Sequence, residues 1–269
     1  MMAKNQKKIL ILLIFLPIVA FTGSIIQQVV VIIKGTNPLW IGYIASILIT
    51  LGAFLFRYVY ADIIQWSKSL QESGGSTDNQ LNPRRFFNVL PYAMLVGVGA
   101  TIAIHQEFII GMGLYFVMQI LLIIAFSGII DLRFRMLFSK ENRVVNILII
   151  GFWMVYMLTV FPFLILPGLL DEPVMAILVS FYVLSLIIMG VVAFLQLPYH
   201  KRSLGLRIGM AFGATSFIFS DTLIGYTAFV QDFMNSSVLI QPTYVLAIAL
   251  ISAAIYFQIG NEKTIKEYQ

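Results

Sequence analysis

Eight apolar runs of helical length dominate this sequence and constrain its fold more than any other feature. They cover residues of about 9–33, 39–62, 86–104, 108–128, 144–166, 173–197, 206–228 and 238–259. A bilayer core of about 30 Å needs about 20 mostly apolar residues for each helix that crosses it. The runs are rich in Leu, Ile and Phe and lack the alternation of a membrane β-barrel. The sequence therefore predicts an all-α, polytopic membrane protein of eight transmembrane helices.

The composition agrees with a membrane protein. The chain has 269 residues, of which 60% are hydrophobic and only 11% are charged, whereas soluble domains are nearer to one quarter charged. The net charge of +5 comes from basic residues in short loops between apolar runs, so we expect no nucleic-acid partner. There are no cysteines and only two histidines, His105 and His200, which disfavours disulfides, thiolate metal sites and the common zinc and serine hydrolase motifs. Nothing in the sequence requires a metal or an organic cofactor.

The distribution of Lys and Arg predicts the orientation. If the N-terminus is cytoplasmic and the helices alternate, 15 of the 17 basic residues fall in cytoplasmic segments. Of the other two, Lys34 falls outside and Arg57 lies within the second run, near its cytoplasmic end. This bias predicts that both termini are inside. The first run follows Lys4, Lys7 and Lys8, which also suits a secretory signal. Because the run continues to Ile33, we interpret it as a helix.

Composition shifts divide the chain into four parts. We assign 1–65 to the first two transmembrane helices, 66–85 to a cytoplasmic linker, 86–260 to a six-helix core and 261–269 to a cytoplasmic tail. The linker is the stretch "WSKSLQESGGSTDNQLNPRR", which is polar and contains Gly and Ser, as flexible connections do.

Asp221, in "FSDTLIGY" (219–226), lies about fifteen residues into the seventh run. A carboxyl group inside a membrane is costly and is by default a functional-site hypothesis. An apolar site favours its protonated form, which can donate a proton in catalysis. A structural interpretation stays open, in which Asp221 caps a broken helix or bonds to Ser220 or Thr222.

Three further polar side chains lie inside predicted helices. Gln119 suits either a hydrogen bond between helices or the lining of a cavity. Tyr182 and Tyr244 suit interfacial anchors or packing residues, and they line a site only if they accompany Asp221.

Charged residues near the helix ends have simpler interpretations. Arg57 and Asp62 are expected to extend to the cytoplasmic surface. His105 and Glu107 read as solvated loop residues on the outer side, at a depth comparable with that of Asp221. The small residues of "GVGAT" (97–101) and "GMAFGATS" (209–216) predict close contact between helices.

Four stretches together resemble the lysoplasmalogenase, or YhhN-like, family of integral membrane proteins. "GMAFGATSFIFSDTLIGYTAF" (209–229) is similar to the family's Gly-Ala…Phe…Ser-Asp signature. The other three stretches occur in the family's order: "FIIGMGLYFVMQILLIIAF" (108–126), "VSFYVLSLIIMGVVAF" (179–194) and "VLIQPTYVLAIALI" (238–251). The resemblance covers about 86–257.

The sequence departs from the family pattern in three helices. Ala100 stands where the third helix of the family carries an Asp. Met118 and Gln119 replace an Ala-His pair in the fourth helix, and Ile248 follows Ala247 where the family has Ala-Gln. Of the two acids that the family pattern contains, only Asp221 remains.

The resemblance implies a hydrolase that cleaves the vinyl-ether bond of a lysoplasmalogen by acid catalysis. It implies Asp221 as the catalytic acid, with Glu107 as the candidate substitute for the missing acid. It also implies that Tyr244, Tyr182, Gln119 and Ser220 bind the substrate, a lysophospholipid or other single-chain lipid. A prokaryotic plasma membrane is the expected location.

Two alternatives remain open. The lost motif residues favour a non-enzymatic protein that binds or senses lipid. A proton-coupled transporter would use Asp221 as its titrating group.

Overall fold

The chain folds into a bundle of apolar helices. A computed structural model describes residues 4–34, 42–55, 57, 83–128, 142–198, 203–233 and 236–267. The helices in these ranges are α1 (Lys4–Lys34), α2 (Gly42–Leu55), α3 (Pro83–Ala103), α4 (Phe108–Ser127), α5 (Arg143–Val160), α6 (Pro173–Phe194), α7 (Leu204–Phe229) and α8 (Ser236–Glu267). The prediction of an all-helical architecture is confirmed for this part of the chain.

Six of these helices are long and apolar enough to cross a membrane, which makes the chain a multi-pass membrane protein. The segments are Phe15–Ile33, Phe108–Ser127, Arg143–Leu169, Pro173–Phe194, Leu204–Phe229 and Ser236–Ala254. The other two predicted runs contain the shorter apolar helices Gly42–Leu55 and Asn88–Ala103. Asp62 and most of the predicted linker lie outside the described residues.

The end of the fifth apolar run departs from a regular α-helix. Here α5 ends at Val160, and the chain continues as a π-helical turn (Phe161–Ile165) and a 3-10 turn (Leu166–Leu169). Pro162 and Pro167 lie in these turns, and a proline has no N–H to donate and crowds the preceding turn. The change in helix type therefore coincides with the two prolines that interrupt the run.

Small residues bring α7 and α8 together, as the sequence predicts. A Cβ added to Gly209 would lie 2.9 Å from Cβ of Ala254, and one added to Gly213 would lie 3.1 Å from the carbonyl oxygen of Ala247. In addition, α3 packs along α4, and α1 packs along α8. Small residues such as Gly209 and Gly213 stabilise helix pairs in membranes because they let the two backbones come close together.

One end of the bundle holds three turns between consecutive helices. They join α3 to α4, the 3-10 turn to α6, and α7 to α8. At this end Phe108 packs edge-on against Phe229, with ring centroids 5.4 Å apart. We call it the Phe108 end.

The outer faces of the helices are apolar as well as the core. Phe163 is 79% exposed, and Val144, Leu170 and Val174 are also largely exposed. Trp153 is buried. Exposed apolar side chains on this scale suit contact with lipid.

Candidate functional site

Asp221 is the buried acid of the described residues and lies two turns before the end of α7. Its carboxylate oxygen Oδ2 accepts a hydrogen bond from Nε2 of Gln119 at 3.2 Å. The same oxygen accepts a second hydrogen bond from the hydroxyl of Tyr182. The other oxygen, Oδ1, is buried and has no partner among the described residues. When the acid is protonated, Oδ1 is therefore the oxygen that carries the proton.

The amide of Gln119 is held in one orientation. Ser185 of α6 donates from Oγ to Oε1 of Gln119, so Nε2 is the end that faces Asp221. Gln119 is fully buried in α4. The contacts join α4, α6 and α7 around the carboxyl group.

A narrow cavity of about 50 Å³ lies beside Asp221 between α4, α5, α6 and α7, with room for a few water-sized groups. Its lining is mostly apolar and includes Ile104, Met112, Phe161, Val179 and Leu186. The polar members of the lining are Asp221, Tyr115, Tyr156, Tyr182 and Thr222. The carboxyl group is thus presented to an apolar space.

A second group of hydroxyl side chains separates this cavity from α3 and α8. Oγ1 of Thr101 lies 3.0 Å from the Tyr115 hydroxyl. The rings of Tyr115 and Tyr244 meet edge to face, with centroids 5.7 Å apart. Gly97 makes room for this arrangement, because a Cβ there would lie 2.9 Å from the Tyr244 hydroxyl. Tyr244 does not line the cavity of Asp221 but lines a neighbouring groove.

Ser220 points away from the cavity. Its Oγ donates to the carbonyl oxygen of Ile240 at 3.1 Å, which ties α7 to the beginning of α8. The structure therefore brings Asp221, Gln119 and Tyr182 together and places Ser220 at a helix contact.

Glu107 lies at the Phe108 end, where it is the exposed residue before α4. It is not among the described residues that line the cavity of Asp221. His105 is exposed in the same turn. Its ring nitrogen Nδ1 lies 2.8 Å from the carbonyl oxygen of Thr101. Ala100, where the family pattern has an acid, is fully buried in α3. Within the described ranges no cluster of three or more His, Cys, Asp or Glu residues could hold a metal ion.

The sequence interpretation missed three residues of the site, Ser185, Tyr115 and Tyr156. Ser185 and Tyr115 belong to the network around Asp221 and Tyr244, and Tyr156 donates to or accepts from Thr222 at 2.7 Å on the cavity wall. Ser185 follows Tyr182 by three residues and Tyr115 precedes Gln119 by four, spacings that share one helix face. That spacing was the signal available in the sequence.

Helices with lipid-facing apolar surfaces around one buried acid define a polytopic membrane protein with an intramembrane carboxyl site. The model of the YhhN family matches residues 82–255, which is more than half of the chain. The chain therefore belongs to the YhhN family, as the four stretches predicted. Neither the curated proteins nor the solved structures yield a match. Both α1 and α2 precede the matched residues.

Proposed function

We propose that this protein is a lysoplasmalogenase-like hydrolase that cleaves the vinyl-ether bond of a single-chain glycerol lipid. The observation that carries the proposal is Oδ1 of Asp221, which has no hydrogen-bond partner in the described part of the chain and belongs to a side chain that lines an apolar cavity. Membership of the YhhN family supports it. The apolar lining suits the vinyl-ether end of an alkenyl chain, and the buried carboxyl group suits a proton donor.

Asp221 acts as the general acid in this proposal. Its Oδ1 proton adds to the outer vinyl carbon, and the electrons of the double bond leave an oxocarbenium ion at the carbon bonded to oxygen. The resulting carboxylate keeps two donors, Gln119 and Tyr182, on Oδ2. These charge-assisted hydrogen bonds stabilise the anion while it faces the cation.

Water completes the reaction. It adds to the oxocarbenium carbon and returns one proton to Asp221, which gives a hemiacetal. The hemiacetal then collapses to a fatty aldehyde and a glycerol-type alcohol. Overall one water is consumed and the acid is regenerated.

A lipid-binding protein without catalysis is the second candidate. It is favoured by Ala100, which is fully buried where the family pattern places a second acid. Such a protein would use the same cavity to hold the first carbons of a single chain. Its Asp221 would then recognise a hydroxyl or ether oxygen.

Aldehyde release from a lysoplasmalogen by the purified full chain in nanodiscs tests the proposal. We expect release from the vinyl ether, none from the saturated alkyl analogue, and a loss of about 10²-fold or more in Asp221→Asn. Asp171→Asn is the matched control, because it makes the same change in an exposed turn. No release, with the alkyl lysolipid still bound, would reject the hydrolase and support the lipid-binding protein.

The proposed setting is a prokaryotic plasma membrane, crossed eight times with both termini in the cytoplasm. The basic residues that flank the helices support this orientation. Reporter fusions after residue 75 and after residue 269 should both report a cytoplasmic location. A fusion active outside the membrane at either position would overturn the orientation.

A further inference from the structure

The narrow cavity beside Asp221 is too small to hold a whole fatty chain. Its volume of about 50 Å³ has room for a few water-sized groups. If the vinyl-ether bond lies at the acid, most of the chain must lie outside this cavity. The walls of the cavity therefore determine where the chain goes.

The cavity is closed on three sides. Met112 and Tyr115 of α4 line it and are buried. On another side α5 packs along α6. At the Phe108 end the rings of Phe108 and Phe229, which also line the cavity, meet edge to face. A fatty chain would have to separate these contacts to leave in any of these directions.

A groove of about 410 Å³ lies beyond the wall that Ile104 and Tyr115 form. The lining of this groove is largely polar and includes Gln28, Thr227 and Gln241. A fatty chain placed there would remove water from these groups without bonding to them, which is costly. The groove is therefore a poor place for the chain.

Between α5 and α7 the cavity reaches the outer surface of the bundle. Val160 of α5 and Thr222 and Gly225 of α7 line the cavity and are partly exposed. These residues belong to the membrane-spanning segments Arg143–Leu169 and Leu204–Phe229, so the surface that they reach faces lipid. A fatty chain that passes between these helices stays in an apolar environment.

Two contacts border this opening along the helices. At one edge the Tyr156 hydroxyl lies 2.7 Å from Oγ1 of Thr222. Because Thr222 donates to the carbonyl oxygen of Ile218, Tyr156 is the donor in this bond. At the other edge a Cβ added to Gly225 would lie 3.4 Å from Cδ1 of Ile165, in the π-helical turn. A larger side chain at Gly225 would fill the space between the two contacts.

We propose that the fatty chain leaves the cavity sideways between α5 and α7 and extends into the bilayer, with Gly225 as the residue that sets the width of the opening. The inference rests on the proposed function for the position of the vinyl-ether bond at Asp221. It describes the substrate class as single-chain lipids of which only the carbons next to the ether bond are enclosed by protein. The protein then tolerates differences in chain length, because the far carbons lie in lipid before and after binding.

Binding of two alkyl lysolipids to the full chain in nanodiscs tests the inference. The probes are 1-O-hexadecylglycerophosphocholine and an analogue with a pyrenyl group at the far end of its chain, compared at equal mole fractions in the bilayer. Neither has a vinyl bond that the acid can protonate. We expect the two affinities to agree within about twofold, because the pyrenyl group lies in lipid. Gly225→Leu should weaken the binding of both probes by about tenfold or more, because the added side chain fills the opening.

Gly113→Leu is the matched control for Gly225→Leu. Gly113 is exposed on α4, has open space around an added Cβ, and does not line the cavity. This control should leave both affinities unchanged. If Gly225→Leu does not fold, Val160→Phe narrows the opening from α5 and should weaken both affinities in the same direction.

A loss of binding caused by the pyrenyl group alone would show that protein encloses the far end of the chain, and it would overturn the inference. Unchanged binding in Gly225→Leu and Val160→Phe would also overturn it. Aldehyde release is measured separately and depends on Asp221. Release together with either of these results would reject the opening and leave the hydrolase standing. The expected binding pattern without any aldehyde release would support the opening and reject the hydrolase.

Discussion

Gln119 and Asp221 are joined by a hydrogen bond of 3.2 Å between Nε2 and Oδ2, although 102 residues separate them in sequence. Tyr182 donates to the same oxygen from a third helix. Two donors on one oxygen leave the other oxygen, Oδ1, as the position of an acidic proton. The asymmetry of the carboxyl group thus follows from the packing of α4 and α6 against α7.

Replacing Tyr182 by Phe should slow vinyl-ether cleavage while the ring continues to fill its place. The carboxylate left after proton transfer would lose one of its two donors. A hydrogen bond to a charged group is worth about 1.5–3 kcal/mol, so kcat should fall by about 10- to 100-fold. Steady-state aldehyde release checks this. Tyr156→Phe is the control, because Tyr156 lines the same cavity but bonds to Thr222; equal losses in the two variants would contradict the role of Tyr182.

Gly97→Ala should destabilise the protein, whereas Gly99→Ala should not. A methyl group at Gly97 would lie 2.7 Å from Sδ of Met118, which is fully buried, and 2.9 Å from the Tyr244 hydroxyl. Overpacking of this kind costs about 1–3 kcal/mol, against about 1 kcal/mol gained in helix propensity. At Gly99 the nearest atom is Cδ1 of Leu114 at 3.8 Å. Thermal unfolding in one detergent should rank Gly99→Ala above Gly97→Ala, and the reverse order would show that the Met118 side chain adjusts freely.

Gly168→Ala should disturb the contact between the 3-10 turn and α7. The added Cβ would lie 1.7 Å from the carbonyl oxygen of Phe229, and a backbone atom cannot move aside as a flexible side chain can. We expect a loss of about 3 kcal/mol in the free energy of unfolding. Gly151→Ala, with open space around it, should be neutral or stabilising by up to about 1 kcal/mol. Denaturant titration of both variants measures the difference, and similar midpoints would mean that the turn and α7 separate without cost.

Much of the candidate site could be predicted from the sequence because its members are conspicuous. Asp221, Gln119 and Tyr182 are polar residues in apolar helices, where a polar side chain is costly and therefore usually has a structural or functional role. The position of Gln28 beside the site could not be predicted, because nothing in the sequence shows that α1 packs against α8. That contact is seen only in the structure. The exposed position of Glu107 in the turn before α4 agrees with its interpretation as a solvated loop residue.

The sequence by itself determined the helices, because a chain inside a bilayer must satisfy its backbone hydrogen bonds within each segment. Hydropathy and length are enough to locate such segments. Only the tertiary structure decided which face of each helix turns inward. Apolar residues cover nearly every face, so hydropathy does not specify rotation about the helix axis, and contacts such as those of Gly209 and Gly213 with α8 do. That rotation brings Gln119 and Tyr182 to Asp221, turns Ser220 toward Ile240 and places Gln28 in the wall of the groove.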